Sequence, residues 1–171
     1  EGGLVQDEDL AVIKALDHPS IDLIDISGGT YIPGAKSASD SAGCGPYFAC
    51  TSKAARAFTD KPLMLTGGFK TVAQAVAALA EGAADVIGLA RSLIIAPDLP
   101  NQWRQTGADV AFPRFSNPPE GGVTAWYTQA LTRIAQDQPL DPQADLEDAL
   151  AAYEARDAAR VPLWNGRFPR Q

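Results

Sequence analysis

The stretch from Lys61 to Leu93 reads KPLMLTGGFKTVAQAVAALAEGAADVIGLARSL, and the fold prediction starts from it. Its apolar run from Pro62 to Thr66 has the length of a β-strand buried on both faces, and the run stops at Gly67 and Gly68. A second short apolar run, Asp85 to Leu89, predicts another strand. The stretch therefore predicts two successive strand–loop–helix units.

The segment between the two strands carries the signals of a helix. Thr71 and Gln74 have the spacing of a capping box, so the helix is expected to begin after Thr71. Gly82 stands where a C-terminal glycine cap is expected. A further short helix is predicted over Ser92–Ala96, directly after Arg91. A strand, a crossover helix and a second strand fit within one βαβ unit, whose strands are parallel.

Two turns of this stretch follow their strands, so both are expected at the carboxyl edge of the sheet. Gly67 and Gly68 can take positive φ and let a ligand approach their amides closely. Ala90 and Arg91 open the short helix, where amides and a guanidinium favour a dianion. The pattern predicts a phosphate site. The alternative is an ordinary αβ connection in which the glycines are turn residues and Arg91 is a solvated charge, and spacing alone favours neither.

Three segments together resemble a known family. IDLIDISGGTY (21–31), PLMLTGGF (62–69) and ADVIGLARSLI (84–94), in this order and spacing, look like the last three barrel strands of the old yellow enzyme family, the NADH:flavin oxidoreductase/NADH oxidase group. The resemblance implies an α/β fold, the C-terminal portion (about strands 6–8) of a (β/α)8 TIM barrel with extra C-terminal helices. It implies a partial FMN-binding barrel over 1–115 and a helical extension packed on the barrel over 116–171.

The resemblance also implies a cofactor site. Gly67 and Gly68 would contact the FMN phosphate through backbone amides, and Ala90 and Arg91 would complete its pocket. The commoner family form of the second turn ends in Gly-Arg. The methyl group of Ala90 would therefore slightly narrow the space through which the phosphate approaches.

Other residues are implied less directly. Ser27 and Gly28 would come near the flavin. Trp126 and Tyr127 resemble an aromatic pair that the family places near the flavin ring edge and the substrate; the alternative is the apolar face of a helix packed on the barrel. Tyr31 is a candidate wall of the substrate site, or an aromatic that props up its loop.

The function implied by the resemblance is FMN-dependent NAD(P)H oxidoreduction of the ene-reductase kind, with hydride passing through FMN to an activated alkene or another small-molecule acceptor. The family's acceptor-binding and proton-donating residues lie on strands upstream of this chain, so no catalytic residue is predicted here. The chain lacks an initiator methionine, and its only methionine is Met64. We therefore expect a fragment with little or no activity alone. The alternatives are a phosphate-binding barrel enzyme without flavin, and a non-catalytic half-barrel that pairs with itself or with a complementary half.

Composition bounds the partners. The 171 residues are 46% hydrophobic and 20% charged, which is typical of a globular domain. A net charge of −7 without a Lys/Arg cluster argues against nucleic acid and anionic membranes. No signal peptide is visible, so a cytoplasmic location is expected. Cys44 and Cys50 have neither a C-x-x-C spacing nor a histidine partner nearby, and no metal site is predicted. The strand edges that a partial barrel leaves exposed favour self-association, so a homo-oligomer is an expected partner state.

Outside the central stretch the periodicity predicts further elements. His18, the only histidine, falls in a turn at the end remote from the predicted site, and Asp25 is expected to pair with a cation. The segment from Asp98 to Gly122 is expected to be irregular, and the tail is expected to dock through Trp164 and Phe168. The remaining predicted elements are a helix Asp7–Leu16 capped by Asp7, a strand Ile21–Ser27, and helices Tyr47–Phe58, Gly122–Ile134 and Asp145–Arg160.

Overall fold

The computed structural model describes residues 5–28 and 45–169, and over these the chain is a mixed α/β structure with a small parallel sheet. Contacts divide the chain into two compact units, residues 1–111 and 112–171. In chain order the elements are α1 (Gln6–Leu16), β1 (Ile24–Ile26), α2 (Ala49–Ala55), β2 (Leu63–Thr66), α3 (Val72–Ala80), β3 (Val86–Gly88), α4 (Arg91–Ile95), α5 (Leu99–Thr106), α6 (Gly122–Ala135) and α7 (Leu146–Arg167).

The three strands form one sheet in the order β1-β2-β3, and both neighbouring pairs are parallel. Ile26 lies beside Leu65, and Thr66 lies beside Gly88. The predicted parallel βαβ arrangement is confirmed. The carboxyl ends of all three strands therefore lie at one edge of the sheet.

One face of the sheet forms the core of the first unit. Leu63 and Leu65 are completely buried, and Ile24 and Ile26 are buried beside them. Burying a leucine side chain contributes roughly 1.5–3 kcal/mol, so this row is a main source of stability. The residues packed around the row include Ile13, Ala55, Phe69, Ala75, Ala78, Ala83 and Ala84, which come from α1, α2, α3 and the loops beside them.

The other face of the sheet is partly open. Asp25 is exposed, Met64 and Thr66 are half-buried, and Val86 is exposed. The prediction that β2 is buried on both faces is therefore wrong for the described chain. The strand alternates between buried and half-buried residues because the packed helices cover one face only.

Helix α3 has the predicted cap. The Thr71 hydroxyl accepts a hydrogen bond from the Gln74 amide at 3.2 Å, and Gln74 Oε1 accepts one from the Thr71 amide at 3.2 Å. Gly82, just beyond the helix, has a φ of +71°. Both predicted ends are confirmed, since each depends on a local hydrogen bond or backbone conformation that the residue type determines.

Other helix predictions need correction. Helix α1 begins at Gln6 after an N-cap at Val5, so Asp7 lies inside the first turn instead of capping it. Helix α2 is shorter than predicted, and the residues beside it form turns. Helix α4 includes Arg91. Helix α5 occupies part of the stretch predicted to be irregular; Pro100 lies in its first turn, and Gly107 ends it at a φ of +68°.

The second unit is built on α6 and α7, which pack against each other. Helix α6 begins at Gly122 as predicted, and the Asp145 carboxylate caps α7. Helix α7 continues beyond its predicted end and contains Pro162. Trp164 and Phe168 are exposed, so the prediction that they dock on the chain is wrong.

No helix in residues 5–28 and 45–169 is both long and apolar enough to cross a membrane.

Candidate functional site

The carboxyl edge of the sheet brings three predicted groups together. Ser27 follows β1, Gly67 and Gly68 follow β2, and Ala90 and Arg91 come after β3 and Leu89. Because the strands are parallel and in register, these loops share one edge. Ligands of open α/β sheets and barrels bind at this edge.

The two glycines after β2 both adopt left-handed backbone conformations. Gly67 has a φ of +113° and Gly68 a φ of +84°. A Cβ atom added at Gly68 would lie 2.1 Å from the Gly45 carbonyl oxygen, whereas one at Gly67 would meet Tyr47 Cδ2 at 3.5 Å. Positive φ was predicted for both. At Gly68 the close approach is made by the protein's own backbone, which packs on this side of the turn.

An aromatic pair covers the turn. The rings of Tyr47 and Phe48 meet edge to face with centroids 6.3 Å apart. A Cβ atom added at Gly28 would lie 3.0 Å from the Phe48 ring, and one at Gly67 would contact both rings. The segment just before α2 therefore forms a wall over the ends of β1 and β2.

The Tyr47 hydroxyl is buried and has no hydrogen-bond partner in the part of the chain that the structure describes. A buried hydroxyl without a partner is uncommon and is often found where a ligand or water completes the site. Tyr47 and Phe48 were not predicted as site residues. The signal that could have revealed them is an aromatic pair directly after Gly45-Pro46, ahead of the helix that leads to β2.

A polar row crosses the open face next to this edge. Thr66 Oγ1 donates a 2.8 Å hydrogen bond to the Asp25 carboxylate. On the other side of Thr66, a Cβ atom at Gly88 would lie 1.8 Å from the same hydroxyl oxygen, so only glycine fits there. The cation predicted beside Asp25 stays a prediction.

The amides that follow the glycine turn are bonded within the protein. Gln74 Oε1 accepts hydrogen bonds from the amides of Lys70 and Thr71 at 2.8 and 3.2 Å. The Asp109 carboxylate accepts one from the Val72 amide at 2.8 Å. A phosphate at this edge would therefore rely on the turn itself and on the residues after β3.

Ala90 is exposed and Arg91 is half-buried at the start of α4. Helix α4 has only five residues, so its dipole adds little to anion binding. The start of α4 would therefore contribute to phosphate binding mainly through the guanidinium of Arg91, since a guanidinium can bind two oxygens of one phosphate.

Trp126 belongs to the second unit. It is buried there, with Phe115 at 5.5 Å and Tyr127 at 5.0 Å between ring centroids, and its indole nitrogen has no partner in the described chain. This burial agrees with the alternative that Trp126 lies on the apolar face of a packed helix. Its place in the cofactor site stays a prediction.

The amino edge of the sheet carries a structural network instead. Arg56 donates to the carbonyl oxygens of Gly82 and Lys61 and pairs with the Asp85 carboxylate, which also accepts a 2.8 Å hydrogen bond from the Leu63 amide. The Leu63 amide and then the Arg56 guanidinium hold the pKa of Asp85 below its ordinary value of 3.8. This network ties α2 to the starts of β2 and β3.

The remaining predicted residues lie elsewhere. His18 is exposed in the turn before β1, where its Nδ1 accepts a 3.2 Å hydrogen bond from the Ser20 amide. Cys50 is an exposed free thiol in α2. Tyr31 and Cys44 lie outside the described residues. Within the described residues, no group of three or more His, Cys, Asp or Glu side chains is placed to hold a metal ion.

The chain is similar to part of a solved structure. A variant of NCR from Zymomonas mobilis matches with 24% sequence identity and a TM-score of 0.44. The match covers 64% of this chain and 33% of the NCR chain, so this chain spans about a third of that protein's length. No protein-family model and no curated protein matches the chain.

Proposed function

We propose that this chain is the phosphate-binding portion of an FMN-dependent NAD(P)H oxidoreductase of the old yellow enzyme family, a partial barrel with a helical extension. When bound, FMN supplies hydride transfer from NAD(P)H to an activated alkene or another small-molecule acceptor. The residues of this chain hold the cofactor's phosphate end, while the reacting end belongs to strands outside it.

The observation that carries the proposal is the edge where Gly67 and Gly68, both with positive φ, lie in one row with the loops after β1 and β3. This is the edge at which the family resemblance places the phosphate. Parallel register supports that placement, because it brings Ser27 and Arg91 to the same edge as the glycines.

The residues at this edge fit a phosphate. The amides of Gly67 and Gly68 are the proposed donors, and Arg91 is the proposed counter-charge. The unpartnered Tyr47 hydroxyl, whose ring lies against Gly67, adds a donor that the protein itself leaves unused within the described residues. Exposed Ala90 leaves the approach from solvent open.

Binding of FMN to the purified 171-residue chain tests the proposal. The wild-type chain is expected to retain flavin absorbance after desalting. Arg91→Ala is expected to weaken binding about ten- to hundredfold, since a hydrogen-bonded charge contributes roughly 1.5–3 kcal/mol. Arg104→Ala is the matched control, because it removes the same charge at an exposed residue of α5 whose described hydrogen bond goes to Asn101.

Equal FMN affinity of Arg91→Ala and wild type would contradict the assignment of Arg91. A chain that binds inorganic phosphate in an Arg91-dependent way, but not FMN, would favour the phosphate-binding enzyme without flavin. A chain that binds neither would contradict the proposal that this chain contains the site. Ene-reduction by the chain alone, given FMN and NAD(P)H, would contradict the assignment of the reacting end to missing strands.

A further inference from the structure

The last turn of α7 contains an Asn-Gly pair, Asn165 and Gly166. Both residues are exposed, and so is every residue from 158 to 169, around the full circumference of the helix. Because no described residue buries any part of this segment, its helical conformation is held mainly by its own backbone hydrogen bonds. We name residues 158–168 the α7 end.

The backbone hydrogen bonds of the α7 end are easily broken. A helix end without a packed apolar face is marginal in water, and such ends open with little free energy. Pro162 lies inside the helix and has no N–H to donate, so the preceding turn lacks one backbone bond. Gly166 weakens the last turn further, because glycine loses more conformational freedom on folding than any other residue. Asn165 and Gly166 therefore leave the helical conformation frequently.

An Asn-Gly pair that leaves a helix can react with itself. The backbone nitrogen of the glycine loses its proton and attacks Cγ of the asparagine side chain. The new N–Cγ bond closes a succinimide ring, and the side-chain nitrogen leaves as ammonia. Water then adds to one of the ring's carbonyl carbons and breaks the bond from that carbon to nitrogen. Opening at Cγ gives aspartate, and opening at the main-chain carbon gives isoaspartate, in which the backbone runs through the side chain.

The surroundings of Gly166 favour this attack. A side chain on the residue after an asparagine crowds the attacking nitrogen, and glycine has no side chain. A Cβ atom added at Gly166 would meet nothing within 4 Å, so the space beside the attacking nitrogen is open. Exposure of Asn165 gives water access to the ring and lets ammonia leave.

The other two asparagines of the chain lack these conditions. Asn101 lies within α5, its carboxamide donates a hydrogen bond to Asp98, and the residue after it carries a side chain. Asn117 precedes Pro118, whose nitrogen has no proton to lose. Both asparagines therefore serve as internal controls for the reaction.

We propose that Asn165 is a self-modification site, at which the folded chain forms isoaspartate and aspartate without an enzyme whenever the α7 end opens. The product places a carboxylate among basic groups, since residues 160–171 contain three arginines and no acidic residue. Isoaspartate also lengthens the backbone between Trp164 and Phe168, whose rings contact each other with centroids 4.5 Å apart. The modification therefore changes both the charge and the shape of the α7 end. This proposal is independent of the cofactor assignment.

The test is incubation of the purified full chain at mildly alkaline pH, followed by peptide mapping with mass spectrometry. The peptide that contains Asn165 is expected to exchange the mass of ammonia for that of water, while Asn101 and Asn117 stay intact. Each event adds one negative charge to a chain of net charge −7, so ion exchange separates the product. An isoaspartyl methyltransferase, used as a probe, measures the isoaspartate formed. The reaction is expected to accelerate as the pH rises, because the deprotonated backbone nitrogen is the attacking group.

Variants separate the chemistry of the pair from the opening of the helix. Gly166→Ala is expected to slow the loss of Asn165 at least about fivefold, through the higher helix propensity of alanine alone. Pro162→Ala leaves the pair unchanged and is expected to slow the loss about tenfold, because a helix with alanine there opens less readily. Pro139→Ala, at an exposed proline outside α7, is the matched control and is expected to react like wild type. Circular dichroism checks that each variant is folded.

The chain unfolded in urea supplies the reference rate for an unprotected Asn-Gly pair. An Asn165 that stays intact in the folded wild-type chain while the unfolded chain loses it overturns the proposal, because the helix would then protect the pair. Equal rates in wild type and Pro162→Ala also overturn it, since the reaction would not pass through opening of the α7 end. So does loss of Asn101 as fast as that of Asn165.

Discussion

Glycines in the first unit are needed for different physical reasons. Gly82 has positive φ and open space around it. At Gly88 the hydroxyl of Thr66 occupies the space that a side chain would need. Gly68 combines both constraints, since it has positive φ and the Gly45 carbonyl where a Cβ would be. Substitution at Gly68 should therefore cost more than backbone strain alone.

Gly68→Ala is expected to destabilise the chain by more than Gly82→Ala. The left-handed conformation costs an alanine roughly 1–2 kcal/mol at either position. At Gly68 the 2.1 Å contact with the Gly45 oxygen adds displacement of the backbone. Urea unfolding of both variants measures the difference. Equal destabilisation would show that the segment before α2 does not pack on the turn.

The lowered pKa of Asp85 predicts how the stability of the chain depends on pH. The pKa of Asp85 in the folded chain lies below the ordinary 3.8, chiefly because of the hydrogen bond from the Leu63 amide. The ionised carboxylate therefore stabilises the folded chain above pH 3.8, and this stabilisation disappears as the pH falls through the folded pKa. Asp85→Asn is therefore expected to be less stable than wild type at neutral pH. The two stabilities are expected to converge below pH 3.8.

Urea unfolding across this acidic range is the measurement. Asp60→Asn is the control, because Asp60 is an exposed carboxylate outside the Arg56 network. A gap between wild type and Asp85→Asn that stays constant with pH would contradict the assigned role.

Helix α3 illustrates an element whose ends are set locally. Thr71→Ala removes the side-chain acceptor of the Gln74 amide and is expected to lower the free energy of unfolding by about 1 kcal/mol. Thr71→Ser keeps an acceptor and is expected to stay close to wild type. Chemical denaturation of both variants checks the pair. A Thr71→Ser chain as unstable as Thr71→Ala would mean that packing of the methyl group matters more than the cap.

Elements with local signals were predictable, and those set by tertiary contacts were not. The capping box and Gly82 mark both ends of α3 within a few residues. Helix α5 falls in a stretch predicted to be irregular, because the many prolines of that stretch outweigh Pro100 and Gly107, which mark the ends of the helix. Which face of β2 is covered depends on where the helices pack, and a four-residue apolar strand carries no signal for that.

The candidate site was predictable only in part. Parallel strands imply that the loops with Gly67 and Arg91 meet at one edge, and the sheet confirms this arrangement. The aromatic wall of Tyr47 and Phe48 could not be placed from spacing, since a contact over about twenty residues depends on how α2 lies against β2.

The hydroxyl of Tyr47 has a consequence for the kinetics and thermodynamics of recognition. In most polar sites a donor must first give up an internal acceptor, and that exchange cancels much of what the new bond contributes. Within the described chain Tyr47 has no such bond to give up, so a ligand oxygen that reaches it adds a hydrogen bond without an exchange. Tyr47→Phe should then leave the stability of the empty protein unchanged or raise it. Its effect should be seen only when a ligand is bound, as a shorter lifetime of the complex.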